Sequence, residues 1–140
     1  MLFRSVRSIG EQIQIFDMFR KKFIVLTPEE WVRQHFAHYL VEQVGYNSSH
    51  LHLEYQLSYN QLKKRPDIGV INQNLELELL VECKAPSIVL NEDVFLQLTS
   101  YFSVASSKFI ALTNGLQHIF ASFEPSTGKF VYIKELPSKK

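Results

Sequence analysis

The sequence predicts an α/β sandwich in which helices flank a mixed central β-sheet. This fold class rests on the order of helix-like and strand-like segments, the turn signals between them, and a large apolar fraction. The chain has 140 residues, of which 46% are hydrophobic and 13% aromatic, so one domain can bury an ordinary core. We therefore expect a single domain over residues 1–140, with residues 1–15 as a less ordered leader.

The first helix is predicted to begin after Thr27 and to end at Gly45. Thr27 can cap the helix, Pro28 suits the first helical position, and Glu30 can complete a capping box with Thr27. Gly45 is a typical residue for a helix end. The residues before this helix are loosely apolar, and we expect them to add one short strand.

Three strand-like segments follow the first helix. Residues 50–57 alternate strictly between polar and apolar side chains, which is typical of a half-buried strand. Residues 67–71 and 77–84 form two further apolar segments, separated by the turn residues Asn72-Gln73-Asn74. These segments predict three consecutive strands.

The second half of the chain predicts one more helix and a final set of strands. Apolar residues recur with helical spacing over residues 92–103, and residues 109–112 form an apolar strand. Asn114-Gly115 is a strong hairpin signal that leads into residues 118–123, which pair in turn with residues 130–133. The predicted order is helix, three strands, helix, and two or three strands.

Charge and cysteine content limit the class of protein. The formal net charge of +1 argues against a strongly basic protein that coats DNA. Contact with nucleic acid would need local patches, for which Arg20-Lys21-Lys22 and Lys63-Lys64-Arg65 are candidates, although both also fit solvated loop charges. With one cysteine, no signal peptide and no transmembrane run, we expect a cytoplasmic protein that does not enter a membrane.

Two carboxylates and a lysine are predicted to meet at a strand end. Asp67 begins one predicted strand, and Glu82-Cys83-Lys84 ends the next. Strand side chains alternate in direction, so Glu82 and Lys84 share one face while Val81 and Cys83 point to the other. If the two strands are neighbours, Asp67 joins Glu82 and Lys84.

This set of groups suits the hydrolysis of a phosphodiester. Two carboxylates can hold Mg²⁺, which prefers oxygen ligands. The metal polarises a phosphoryl oxygen and lowers the pKa of a coordinated water, and a lysine can orient that water and stabilise developing charge. The same short pattern also fits a surface ion pair at a strand end.

Read as a whole, the chain resembles the N-terminal nuclease domain of the R subunit of type I restriction enzymes. The matching stretches extend from about Phe16 to Leu136 and occur in the family's order: FDMFRKKFIVLTPEEWVRQHF, KRPDIGV, LLVECKAP, the glutamine helix around Gln97, and TNG at residues 113–115. The resemblance implies a PD-(D/E)xK restriction-endonuclease-like core, in the order αβββαβ with C-terminal hairpin strands. It also implies Mg²⁺ or Mn²⁺ as the cofactor.

The resemblance assigns roles to individual residues. It implies that Asp67 and Glu82 bind the metal and that Lys84 is the catalytic lysine. Because a strand end exposes its carbonyls, we also expect the Cys83 backbone carbonyl to be a metal ligand. Gln97 matches a glutamine that family members place near the active site, and Tyr101 lies one helical turn further on.

A glutamate of the first helix is also expected to reach the site. At 100° per residue, Glu29 falls within about 40° of the centre of the helix's apolar stripe, whereas Glu30 falls more than about 120° away. We therefore assign the site glutamate to Glu29, which can also pair with Arg33 at i+4. Glu30 is expected to face outward.

The function implied by the resemblance is a Mg²⁺-dependent DNA endonuclease of a restriction-modification system. The motor domains of a complete R subunit are absent from this chain, so we expect no ATP-driven cleavage by it alone. The expected partners are DNA and other restriction-modification subunits, and a homodimer is compatible with these expectations. The alternative is a non-catalytic module that binds DNA or a restriction-modification partner, which the near-neutral charge favours.

Overall fold

The computed structural model describes residues 5–54, 65–102 and 105–140, which form two β-sheets and two long helices. A π-helical segment (Leu40–Val44) extends the first helix, and a short 3₁₀ turn (Ser48–His50) precedes the fourth strand. The strands and long helices, in chain order, are β1 (Val6–Ile9), β2 (Gln12–Asp17), β3 (Lys22–Val25), α1 (Pro28–Tyr39), β4 (Leu51–Leu53), β5 (Ile68–Ile71), β6 (Leu77–Cys83), α2 (Glu92–Phe102), β7 (Phe109–Thr113), β8 (His118–Glu124) and β9 (Lys129–Ile133).

The larger sheet has the strand order β4-β5-β6-β7-β8-β9. Strands β6 and β7 are parallel, and all the other neighbours in this sheet are antiparallel. Parallel neighbours need a crossover connection, and α2 lies within the chain segment that joins β6 to β7. The predicted mixed sheet and the predicted order of helices and strands are confirmed.

A second, smaller sheet precedes the first helix. Strands β1, β2 and β3 form an antiparallel meander, whereas the sequence led us to expect one short strand. Ile13, Ile15 and Asp17 share one face of β2, and only Ile15 and Asp17 are fully buried, so the end of β2 next to the β2–β3 turn packs on the protein. The meander matters for the site because its last turn carries Asp17 and Arg20 towards α1.

Helix α1 begins as the sequence predicts. The Thr27 hydroxyl accepts a hydrogen bond from the Glu30 backbone N–H at 3.0 Å. The reciprocal half of the capping box is replaced, because the Glu30 carboxylate binds arginine side chains instead. The helix ends at Gly45 as predicted, but its last turn, Leu40–Val44, is π-helical.

The larger sheet has a hydrophobic core on each face. Alternate strand residues point to opposite faces, so β6 contributes to both cores. The α1-side core includes Leu79, Val81 and Cys83, and the α2-side core includes Leu80, Phe95, Leu98, Phe102, Ile110 and Leu112. The two helices therefore cover opposite faces of one sheet.

Some of the sequence predictions fall partly outside the described residues. Of the expected strand over residues 50–57, Leu51–Leu53 is formed with Leu51 and Leu53 buried and His52 exposed, and residues 55–57 are not described. Lys63 and Lys64 of the second basic run also lie outside. In the described part of the chain, no helix has the length and apolar character that a membrane span requires.

Gly45 provides a test of the helix end. It has a φ of +100°, and a Cβ added there would lie 2.8 Å from Lys140 Cγ and 3.0 Å from the Lys140 backbone nitrogen. We expect Gly45→Ala to lower the free energy of unfolding by at least about 2 kcal/mol, because backbone strain and a clash act together. Urea denaturation measures this loss.

Gly128→Ala is the matched control. Gly128 has a φ of +69°, and no atom of the described residues lies within 4 Å of an added Cβ, so only the backbone strain of about 1 kcal/mol applies. If both variants lost the same free energy of unfolding, the contact between Gly45 and the C-terminal residues Lys139 and Lys140 would not contribute to the loss.

Candidate active site

Pairing of β5 with β6 places Asp67 beside Glu82. The Asp67 backbone N–H donates to the Val81 carbonyl at 3.0 Å, which extends the ladder by one residue beyond Ile68. The Cys83 backbone N–H donates to Asp67 Oδ2 at 2.6 Å. The predicted neighbourhood of the two strands is thus present, and both carboxylates are largely buried.

Glu82 and Lys84 lie together on the α2 face of the sheet. Lys84 Nζ is 3.2 Å from Glu82 Oε2, while Val81 and Cys83 belong to the core on the α1 face. The Lys84 backbone N–H donates to the Thr113 carbonyl at 2.8 Å, so the end of β7 fixes the backbone that carries the lysine. The predicted division of side chains between the two faces is found.

Two concavities meet at this end of the sheet, and Glu82 lines both. The α1-side concavity has a volume of about 270 Å³ and the α2-side concavity about 260 Å³. The α1-side concavity is lined by Glu29, Arg33, Glu54, Arg65, Asp67 and Glu82. The α2-side concavity is lined by Glu82, Lys84, Val94, Gln97, Leu98, Tyr101 and Leu112.

The six side chains that the sequence predicted for the site each line at least one of these concavities: Glu29, Asp67, Glu82, Lys84, Gln97 and Tyr101. Glu29, exposed at the start of α1, lies on the α1 side with Asp67. Gln97 lies on the α2 side with Lys84, as does Tyr101 one turn further along the helix. The expected cluster is therefore present but divided, with Glu82 at the boundary.

Glu30 is buried, so the expectation that it faces outward is wrong. Its exposed fraction is only 4%. Its carboxylate binds Arg33 and accepts from Arg20 Nη2 at 2.8 Å and from Gln34 Nε2 at 3.0 Å. The apolar stripe of α1 does not predict this burial, because the N-terminal meander brings Arg20 to a second face of the helix.

Arg33 is a site residue whose bonding the sequence did not reveal. Its Nη2 and Nε atoms donate to Asp67 Oδ1 at 2.6 and 3.2 Å, and its Nη1 binds Glu30. The sequence suggested only a pair with Glu29, one helical turn earlier, whereas Arg33 pairs with Glu30 and Asp67. The guanidinium thus joins α1 to the strand end that carries Asp67.

Arg20 and Glu54 extend this network. Arg20 binds Asp17, Glu30 and Glu54, and its side chain is only 15% exposed. Neither interpretation of the first basic run, as a DNA patch or as solvated loop charges, therefore holds for Arg20. Nothing in the sequence linked Arg20 to Glu54, which lies 34 residues away.

Burial governs the ionisation of two groups at the strand end. Burial raises the pKa of Asp67 to about 6, and the charge of Glu82 acts in the same direction, while the Cys83 N–H and Arg33 oppose both. Burial also raises the pKa of the Cys83 thiol well above its usual value. A thiol held neutral in the core is a poor nucleophile, which agrees with a packing role for Cys83.

The donor set fits a hard cation better than a soft one. In residues 5–54, 65–102 and 105–140, no group of three His, Cys, Asp or Glu side chains is arranged to hold a metal. Asp67 and Glu82 supply two carboxylates, and Mg²⁺ usually binds one or two carboxylates while keeping several waters. Both oxygens of Asp67 already accept hydrogen bonds, Oδ1 from the charged Arg33 and Oδ2 from the neutral Cys83 N–H, so a cation is repelled less at Oδ2 than at Oδ1.

Comparison with known proteins gives one family. The family described as the type I restriction enzyme R protein N terminus matches residues 28–137. No curated protein and no solved structure matches the chain. The matched region contains α1, α2 and all six strands of the larger sheet, and with them both concavities. The chain therefore belongs to the family of type I restriction enzyme R protein N-terminal domains.

Proposed function

We propose that this chain is a metal-dependent DNA endonuclease of the PD-(D/E)xK type, working within a restriction-modification system. The observation that carries the proposal is the position of Glu82. Its side chain binds Lys84 on one side of the sheet end and lines a concavity with Asp67 on the other. Two carboxylates and an ammonium at one strand end suit phosphodiester hydrolysis.

The proposed metal is Mg²⁺ or Mn²⁺, held by Asp67, Glu82 and the Cys83 backbone carbonyl. When bound, the ion would polarise the phosphoryl group and make the attacking water more acidic. Asp67 must be ionised to bind it, and the Arg33 and Cys83 N–H hydrogen bonds favour that ionised form.

Lys84 is the proposed catalytic lysine. In hydrolysis, the oxygen of a water forms a bond to phosphorus, one ester P–O bond breaks, and the departing oxygen takes a proton. An ammonium beside the phosphorus can orient the water and stabilise the negative charge that grows on the phosphoryl oxygens. Hydrogen bonding to Thr113 and the ion pair with Glu82 hold Lys84 in place for this role.

The remaining site residues would position the substrate. Gln97 and Tyr101 line the same concavity as Lys84, where an amide and a phenol can hydrogen-bond a phosphate. Glu29 is an exposed carboxylate beside Asp67 and can hold a water or accept its proton. Arg65, exposed at the mouth of the α1-side concavity, suits a neighbouring phosphate.

A second candidate function is a module that binds DNA or a restriction-modification subunit without cutting. The observation that favours it is the Arg33–Asp67 pair, since the guanidinium neutralises the carboxylate where a metal would otherwise do so. The two candidates differ in whether a metal binds at Asp67 and Glu82 and whether DNA is then cut.

Metal binding tests the proposed ligands directly. Calorimetry with Mn²⁺ is expected to show one site in the wild type and no site in Glu82→Ala, because the variant lacks one of the two carboxylates. Glu76→Ala is the matched control, since Glu76 is an exposed glutamate whose side chain pairs with Lys108. Unchanged Mn²⁺ binding in Glu82→Ala would remove Glu82 from the ligand set.

The role of Lys84 is tested by cleavage. We expect Lys84→Ala to retain metal binding and to lower the free energy of unfolding by only about 1 kcal/mol, because Lys84 is partly exposed although its partner Glu82 is buried. Cleavage of DNA is expected to fall by at least about 100-fold, which corresponds to about 3 kcal/mol of transition-state stabilisation. Lys84→Arg should not restore it, since a planar guanidinium does not replace a compact ammonium.

Lys108→Ala is the control for charge removal, because Lys108 is a half-exposed lysine that pairs with Glu76 away from both concavities. Cleavage by Lys84→Ala at the wild-type rate would place the chemistry elsewhere. Wild-type protein that binds DNA but cuts no duplex, single-stranded or branched DNA with Mg²⁺ or Mn²⁺ would favour the non-catalytic module.

A further inference from the structure

A third cavity lies between α1 and the β7–β8 hairpin. Its volume is about 400 Å³. Trp31, His35 and Tyr39 recur every fourth residue and so line it with one face of α1. Pro86, from the loop after β6, and His118, at the start of β8, also line it. The cavity is rich in flat rings, and we call it the aromatic cavity.

The rings of the aromatic cavity are held in place. The Trp31 and His35 ring centroids are 3.9 Å apart. The Tyr39 and His118 ring centroids are 6.0 Å apart, and the planes of these two rings differ by 14°. Thr113 Oγ1 and His118 Nδ1 are hydrogen-bonded at 2.7 Å, which fixes the imidazole plane. Trp31 is nonetheless 38% exposed, so its ring can be reached from solvent.

The aromatic cavity is connected to the candidate active site through Thr113. The Thr113 carbonyl accepts from the Lys84 backbone N–H at 2.8 Å, while its hydroxyl bonds His118 and accepts from the Gly115 N–H at 3.0 Å. Asn114 Nδ2 donates to the Ile88 carbonyl at 2.8 Å, tying the hairpin to the loop that follows Lys84. Pro86, only two residues after Lys84, lines the cavity, so the cavity lies at the same end of the sheet as Lys84, although on the α1 side.

The chemistry of the lining favours a neutral flat group over a phosphate. Among the described residues that line the cavity, none is a lysine or an arginine, and Glu42 adds a negative charge. Phosphate would be repelled there. A nucleobase suits the site, because its ring can stack on aromatic side chains while its polar edge meets the exposed amide of Gln43.

We propose that the aromatic cavity receives one unpaired base of the DNA strand bound at Lys84. The substrate would then be DNA that has single-stranded nucleotides next to the bond to be cut. This inference rests on the proposed function, which places a DNA strand at Lys84. Base stacking supplies the binding energy that the near-neutral surface does not.

Trp31 is the sole tryptophan of the chain, so its fluorescence reports directly on the cavity. In EDTA, which prevents metal-dependent cleavage, we expect saturable quenching by a short single-stranded oligonucleotide. An oligonucleotide of the same length with abasic central positions should bind at least tenfold more weakly, as should a blunt duplex. Binding of a labelled oligonucleotide, followed by anisotropy, should weaken at least tenfold in Trp31→Ala and largely recover in Trp31→Phe.

Tyr132→Ala is the matched control, because Tyr132 is a 52% exposed aromatic residue outside the cavity. Its affinity for the single strand should equal that of the wild type. Equal quenching by intact and abasic strands would overturn the inference. So would quenching by an aromatic peptide but not by the single strand, since the cavity would then take a protein side chain.

The outcome separates this inference from the proposed function. Base-dependent quenching in a protein that never cuts DNA would support base binding in the aromatic cavity and contradict the proposed nuclease function. Metal-dependent cleavage by a protein whose Trp31 does not respond to unpaired bases would do the reverse.

Discussion

The ion pair between Arg33 and Asp67 is the contact on which the site end of this protein depends. Asp67 is buried where two strands end, and a buried carboxylate without a partner is strongly unfavourable. Arg33 satisfies one of its oxygens and the Cys83 N–H the other. Because Arg33 comes from α1, the same contact fixes the helix against the sheet.

The same requirement explains why the N-terminal meander is part of the fold. Glu30 is also buried; Arg33 binds its Oε1, and Gln34 donates to its Oε2. Arg20, in the turn between β2 and β3, supplies the second guanidinium and itself binds Asp17. The charges form one alternating chain from the meander to the strand end, so each buried carboxylate meets a cation.

Helix α1 serves two regions with two of its faces. Glu29 and Arg33 reach the α1-side concavity, while Trp31, His35 and Tyr39 line the aromatic cavity. Both regions are tied to the backbone of Lys84, one through β5 and β6 and the other through Thr113. One helix and one strand end thus set the relative positions of the carboxylates, the lysine and the ring-lined cavity.

Local patterns in the sequence determined the elements and the composition of the candidate site. The Thr27 cap, the helix end at Gly45 and the alternation that puts Glu82 and Lys84 on one face each depend on a few neighbouring residues. Contacts between residues far apart in the sequence decided how the site is assembled. Arg33 and Asp67, for example, are 34 positions apart. Three features are therefore decided only by the tertiary structure: the burial of Glu30, the three-stranded meander, and the division of the site into two concavities at Glu82. The physical reason is that a buried charge takes whichever partner the fold brings near, and no periodicity along the chain encodes that partner.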